Sequence, residues 1–303
     1  MGTNNLILTR VFTQNTLKDF VNCPNSISIL SSIVKRYEIT YTQDTKNESI
    51  ISEIYQYLGN SYRNEYFYKN TLLNKLIINV HRLKTTTALT EVPVAKSKAD
   101  FIMINGKAVV YEIKTELDTF ERLESQIHDY YKAFDHVCVV TSEPQAEELM
   151  IRFNNSPVGV YVLSKKNTIK RLKEPETFRE LLDKERIFKI LNKPEYENII
   201  KKITKGLPNV TPVNYYRECK RIACELSIDE LYSLFLKELK KRNRIDIIDF
   251  AQIPYALRFL VYFSKFQKPQ LEALNEYLNN IIEKVFRFLY IKRMLISLNS
   301  WKF

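Results

Sequence analysis

Beyond His81 the hydrophobic period of the chain changes, and that change limits what it can fold into. Before it, apolar residues recur at the three-to-four-residue spacing of helices. After it they fall in three extended runs, 87–94 (TALTEVPV), 99–105 (ADFIMIN) and 108–115 (AVVYEIKT), which read as strands. Asn105, Gly106 and Lys107 form a short hairpin connection between the second and third. Helical spacing returns over 119–134, with Phe120, Leu123, Ile127 and Phe134 on one stripe, and 136–141 and 158–163 read as two more strands. The order helix, three strands, helix, strand predicts a mixed α/β fold.

With 303 residues the chain is long enough for about two domains. The pattern divides it into an N-terminal helical region (1–60), an α/β core (61–165) and a basic helical region (166–303). In the first, Ile27, Leu30, Ile33 and Val34, then Ile50, Ile51, Ile54 and Leu58, keep helical spacing. Gly59 and Asn60 are expected to end that region, and a new helix is expected over 61–80, with Tyr62, Leu72, Leu73, Leu76 and Val80 on its inner stripe. Glu65 falls on the same stripe, where a carboxylate needs a partner. From 175 onward only helical patterns occur, broken at Pro194, 206–212, Pro254 and Pro269.

The charge is unevenly distributed. Residues 166–303 hold 28 basic and 17 acidic side chains, the whole net charge of +11, whereas 1–165 hold 18 of each sign. An excess of this kind suits a polyanionic partner. The run 237–244 (KELKKRNR), with Lys237, Lys240, Lys241, Arg242 and Arg244, is the candidate phosphate-tracking stretch, with a solvated helix face as its simpler explanation. Cys23, Cys138, Cys219 and Cys224 lack zinc-type spacing and read as small apolar residues of a reduced, cytoplasmic chain. Only three histidines are present, and His128 and His136 read as surface or capping residues. No run is long and apolar enough for a transmembrane helix, and the start has no signal-peptide pattern.

Chemistry concentrates on the second and third strands. Asp100 opens one, and Glu112 and Lys114 lie on the other, pointing to one face while Ile113 points to the opposite one. If the hairpin turns at Gly106, paired positions sum to about 212, which sets Asp100 opposite Glu112. Two adjacent carboxylates repel unless a cation neutralises them, and hard oxygen ligands suit Mg²⁺ or Mn²⁺. Lys114 would then position the attacking water or a phosphate. Gln126 and Tyr130, one turn apart on the next helix, can hold the lysine or the substrate, or simply cover the sheet. Glu65 can add a carboxylate, or pair with Lys69 one turn later.

In this order, Asp100, Glu112-Ile113-Lys114 and Gln126-x-x-x-Tyr130 resemble the PD-(D/E)XK nuclease superfamily, and residues 62–141 resemble an uncharacterised bacterial family placed within it. Ala99 stands where the motif's name has proline. The resemblance implies a restriction-endonuclease-like core, Mg²⁺ held by Asp100, Glu112 and the backbone carbonyl of Ile113, and help from Lys114, Gln126 and Tyr130. The leading expectation is a metal-dependent nuclease acting on DNA. The alternative is a catalytically silent protein that binds nucleic acid or a partner on the same fold, and a third is a helical interaction protein whose strand motif is incidental.

Overall fold

The computed structural model describes residues 5–24, 28–78, 85–242, 250 and 252–282. The chain divides into two compact units, 1–70 with 245–303, and 71–244. The helices after 175 are thus shared between units, and those up to 242 join the sheet, across the boundary that composition suggested at 165.

The first unit begins with α1 (Leu6–Val11), α2 (Gln14–Asn22), α3 (Ser28–Arg36), α4 (Asn47–Ser61) and the start of α5 (Glu65–Leu72). Leu30, Ile33, Val34, Ile50, Ile51, Ile54 and Leu58 are buried, as their spacing predicts. Gly59 does not end a helix, because α4 runs on to Ser61. A Cβ at Gly59 would lie 2.6 Å from the Phe67 ring, so the glycine serves close packing. The helix expected over 61–80 starts four residues later, where the Asn64 side chain accepts the Phe67 N–H at 3.1 Å. It passes into a π-helical turn at Leu73–Ile78; Val80 and His81 lie outside the described residues.

The second unit is built on one sheet: β1 (Thr87–Val94), β2 (Ser97–Asn105), β3 (Lys107–Ile113), β4 (Val137–Ser142), β5 (Gly159–Leu163) and β6 (Ile169–Lys173), adjacent in that order. The first three pair antiparallel, β3, β4 and β5 run parallel, and β6 returns antiparallel. The parallel connections carry α6 (Leu123–Tyr131) and α7 (Ala146–Arg152). Phe101 pairs with Tyr111 and Ile102 with Val110, the register that the hairpin at Gly106 predicts.

β6 is absent from the sequence reading. Its segment, IKRLK, offers no apolar face, and its side chains are mostly exposed. It is an edge strand, where lysines discourage further pairing. Lys173 turns its ammonium back onto the Phe153, Asn154 and Ser156 carbonyls that follow α7.

Four helices follow, α8 (Lys184–Ile190), α9 (Lys193–Thr204), α10 (Pro212–Glu225) and α11 (Ile228–Leu239). Pro194 and Pro212 stand in first turns, where a missing N–H costs nothing. Phe188, Ile199, Ile222 and Phe235 join Ile102, Val110, Val139 and Tyr130 in one core, so these helices and α6 enclose one face of the sheet. A 3-10 turn (Tyr255–Leu257) and the unit-1 helices α12 (Arg258–Ser264) and α13 (Lys268–Asn279) complete the chain's described elements. Within that unit, buried Asn70 donates to the Tyr55 hydroxyl and the Tyr255 carbonyl, each at 2.9 Å, and accepts the Phe259 N–H at 3.0 Å.

At the start of β4, Asp135 ties the sheet to α11. It accepts from the Tyr232 hydroxyl at 2.7 Å and Arg179 Nε at 3.1 Å, and lies 2.8 Å from His136 Nδ1. His136 is therefore buried and not a surface residue, whereas His128 is exposed. Burial alone would raise the Asp135 carboxyl, but the bonds from His136, Tyr232 and Arg179 outweigh it and hold it below its ordinary 3.8. A carboxyl depressed in the folded state stabilises fully above its unfolded value and loses that contribution as pH falls through the folded value. Urea titrations should therefore show acid destabilisation below about pH 4, weaker in Asp135→Asn, which itself costs about 1–3 kcal/mol at neutral pH.

Gly159 opens β5 against Pro175, whose ring nitrogen and Cδ lie 2.7 Å from where a Cβ would stand. Gly159→Ala should cost about 1–3 kcal/mol in urea unfolding, because ring and backbone cannot swing aside.

Candidate functional site

β2 and β3 deliver the two carboxylates. The ladder pairs Phe101 with Tyr111, so one step further Asp100 faces Glu112 at the end of the paired region. There the Asp100 side chain replaces a backbone partner, accepting the Ile113 N–H at 2.9 Å. Even-numbered positions of β3 point to the helix-covered face, which takes Ala108 and Val110 into the core and Glu112 beside them. Glu112 is 1 % exposed and Lys114 9 %.

A buried carboxylate must be satisfied. Lys114 Nζ stands 2.9 Å from Glu112 Oε1 and donates at 2.9 Å to Gln126 Oε1. The Tyr130 hydroxyl lies 2.6 Å from Glu112 Oε2 and 2.9 Å from the Lys98 carbonyl, so one phenolic proton serves two acceptors. Burial, then the Glu112 charge, pushes that phenol far above its usual range, and it stays a donor. Gln126 and Tyr130 share a face of α6, which packs on β2 and β4. Asp100, Glu112, Lys114, Gln126 and Tyr130 thus belong to one constellation, as their spacing predicts.

Two residues of this neighbourhood escaped the sequence reading. Thr90 pairs with Phe101 and Val92 with Ala99, so Glu91 stands opposite Asp100. Its backbone is left-handed (φ 56°), it is ion-paired to Lys98, and a carboxylate oxygen lies within 4.8 Å of one from Asp100. The only signal was a lone charge in an alternating strand. Asp129 follows His128 on α6 and accepts from the Lys96 N–H at 3.2 Å and the Ser97 hydroxyl at 2.9 Å, pinning the β1–β2 turn to the helix that carries Tyr130.

Glu65 belongs to the first unit, where its side chain is 55 % exposed, not on an inner stripe, and is ion-paired to Lys69. Of the basic run, Arg242 is committed to a two-pronged pair with Glu195, at 2.6 and 2.5 Å, and to the Ile190 carbonyl. Lys241 pairs with buried Glu238 at 2.5 Å. Lys237 and Lys240 are exposed, and Arg244 lies outside the described residues. The Lys240 carbonyl accepts from Thr87, which pairs with Ile104. That is four residues from Asp100, about 13 Å along the strand, at the opposite end of the hairpin.

Glu112 and Tyr130 should be coupled in stability. Tyr130→Phe keeps the buried ring and removes a hydrogen bond to a charged group, an expected cost of about 1.5–3 kcal/mol in urea unfolding. In the Glu112→Gln background most of that cost should vanish, and an additive double-mutant cycle would show that the contact carries no energy.

Comparison with known proteins bears on the same region. Residues 59–252 match the family model described as bacteriophage P4 protein cII. Protein cII of Enterobacteria phage P4 is 27% identical over 176 residues, which cover 55% of this chain and 64% of that protein, so the match spans less than two thirds of the relative. No solved structure matches the chain significantly. The family model covers more than half of the sequence, including the whole sheet, the Asp100–Tyr130 constellation and α8 to α11, and the chain belongs to the bacteriophage P4 protein cII family.

Proposed function

We propose that the second unit is a PD-(D/E)XK-type nuclease core, and that the chain hydrolyses phosphodiester bonds, in DNA by preference, with Mg²⁺ or Mn²⁺. The observation that carries this reading is the buried Glu112–Lys114 pair beside Asp100 on the neighbouring strand. A purely structural role explains it poorly, since burying a charge pair costs about as much as it returns.

The donor set fits a hard divalent cation. Glu112 spends one hydrogen bond on each oxygen, and a carboxylate has about four acceptor positions, so capacity for a cation remains on both. Asp100 and Glu112, with the Ile113 carbonyl, would hold the metal. When bound, it supplies Lewis-acid polarisation of a phosphoryl oxygen and a nucleophile from water at neutral pH. Lys114, fixed by Gln126, orients the water or the phosphate, and Tyr130 keeps Glu112 from rotating away. The described residues contain no helix long and apolar enough to cross a membrane. With its four cysteines unpaired, the chain suits the reducing cytoplasm, where this reading puts it.

The test is incubation of purified protein with linear, circular and single-stranded DNA and with RNA, in Mg²⁺, Mn²⁺ or EDTA. Cleavage should require metal and fall by at least about a hundredfold in both Glu112→Ala and Lys114→Ala. Intact substrates under every condition would contradict the nuclease reading, and binding without cleavage would favour the catalytically silent alternative.

A further inference from the structure

The cationic surface best placed for a substrate of this site is not the run at 237–244 but the turn between β5 and β6. The register across the sheet fixes its position. Ile113 pairs with Val140, Val140 with Tyr161 and Tyr161 with Arg171. One residue further along β3, Lys114 comes level with Thr141, which pairs with Val162, which pairs with Lys170. Directly paired side chains share a face, so Lys114 and Lys170 stand in one row on the same face of the sheet. Three strand spacings separate them, about 14 Å. Along a duplex that distance is about four nucleotides of one strand, at about 3.4 Å each.

The turn itself is rigid and presents its charges outward. The Ser164 N–H bonds the Thr168 carbonyl and the Asn167 N–H the Ser164 carbonyl, each at 2.9 Å, and the Ser164 and Thr168 hydroxyls lie 2.7 Å apart. Asn167 takes the left-handed conformation (φ 56°) that closes such a loop, a conformation asparagine tolerates better than most residues. Lys165 and Lys166 are left exposed at the tip. Glu143 steadies the base, accepting the Lys165 N–H at 3.1 Å and lying 2.7 Å from Lys170 Nζ.

A cleft lined by the segment before α6 and by residues of α6 and α7 has the opposite sign. It holds about 380 Å³ and is lined by Asp118, Glu121, Glu124 and Glu148, with Arg152 as its one cation. A polyanion is repelled from those carboxylates and drawn to the lysine turn.

We propose that Lys165 and Lys166 on this turn, with Lys170 on β6, hold the phosphodiester backbone of the nucleic acid about four nucleotides from the bond that Asp100, Glu112 and Lys114 act on. The inference rests on the nuclease reading for what happens to the substrate, but the contact itself is measurable without hydrolysis.

The experiment is fluorescence anisotropy of the full chain with a short labelled duplex DNA, and in parallel a labelled RNA, in EDTA, at salt concentrations from about 50 to 200 mM. For the Lys165→Gln, Lys166→Gln, Lys170→Gln triple variant, the slope of log affinity against log salt should shrink by about 0.9 per lysine on DNA, somewhat less on a single strand. Lys237→Gln with Lys240→Gln, a charge loss at the far end of the hairpin, should leave the slope unchanged. The two polymers show which backbone is held, and a shrunken slope on either supports the proposal. An unchanged melting temperature keeps the comparison on folded protein. A triple variant that binds like wild type, an equal effect from the control pair, or a wild type that binds neither polymer would overturn it. Because no metal is present, a failed cleavage assay would leave the binding result standing.

Discussion

The rest of the site depends on one carboxylate, Glu112, taken almost wholly out of water beside an ammonium. Desolvating such a pair costs several kcal/mol per ion, and the attraction between them returns it only when every remaining position is satisfied. Here Lys114, Tyr130 and Gln126 satisfy it from two elements, so α6 must sit at one height on the sheet. Asp129 fixes that height from the next position on the helix, by holding the β1–β2 turn. Asp100 enters from β2 because its carboxylate ends the ladder on the Ile113 N–H. Loss of the Glu112 charge would leave the buried Lys114 ammonium without its counter-charge, so geometry and electrostatics in this corner are one constraint.

How much of this was legible in the sequence depended on whether the governing interactions were local. The register of β2 and β3 follows from one glycine turn and strict alternation, which is why spacing alone sets Asp100 and Glu112 face to face. Proline breaks marked helix starts for an equally local reason. The inner-stripe position of Glu65 was misjudged because helical spacing alone gives a stripe, and the start of α5 at an asparagine cap shifts which residues face inward. Gly59 looked like punctuation, whereas its reason is the Phe67 ring eight residues away. β6 carried no apolar pattern, since an edge strand rich in lysine is built to stay solvated. His136 seemed a surface residue because its partner Asp135 is adjacent, but Tyr232 and Arg179, which bury the pair, lie far along the chain.

The charge excess changes meaning once folded. Much of the basic half is neutralised locally: Arg179 by Asp135 and Asp229, Arg242 by Glu195, Lys241 by Glu238. Counting cations along 166–303 therefore overstates what a polyanion would meet, and a run such as 237–244 loses members to helix packing. What remains usable is set by exposure and position on the sheet: Lys165 and Lys166 are exposed at the β5–β6 turn, and Lys170, itself ion-paired to Glu143, shares the row of Lys114 although 56 residues separate them in the chain.

The central claim is that Asp100 and Glu112 form a seat for a divalent cation. Calorimetric titration of Mn²⁺ into the metal-free chain, wild type against Asp100→Asn, addresses it without reference to any substrate. The account predicts stoichiometric binding in the wild type and its loss in Asp100→Asn, with the fold unchanged. No saturable binding, or the same isotherm in both proteins, would contradict it.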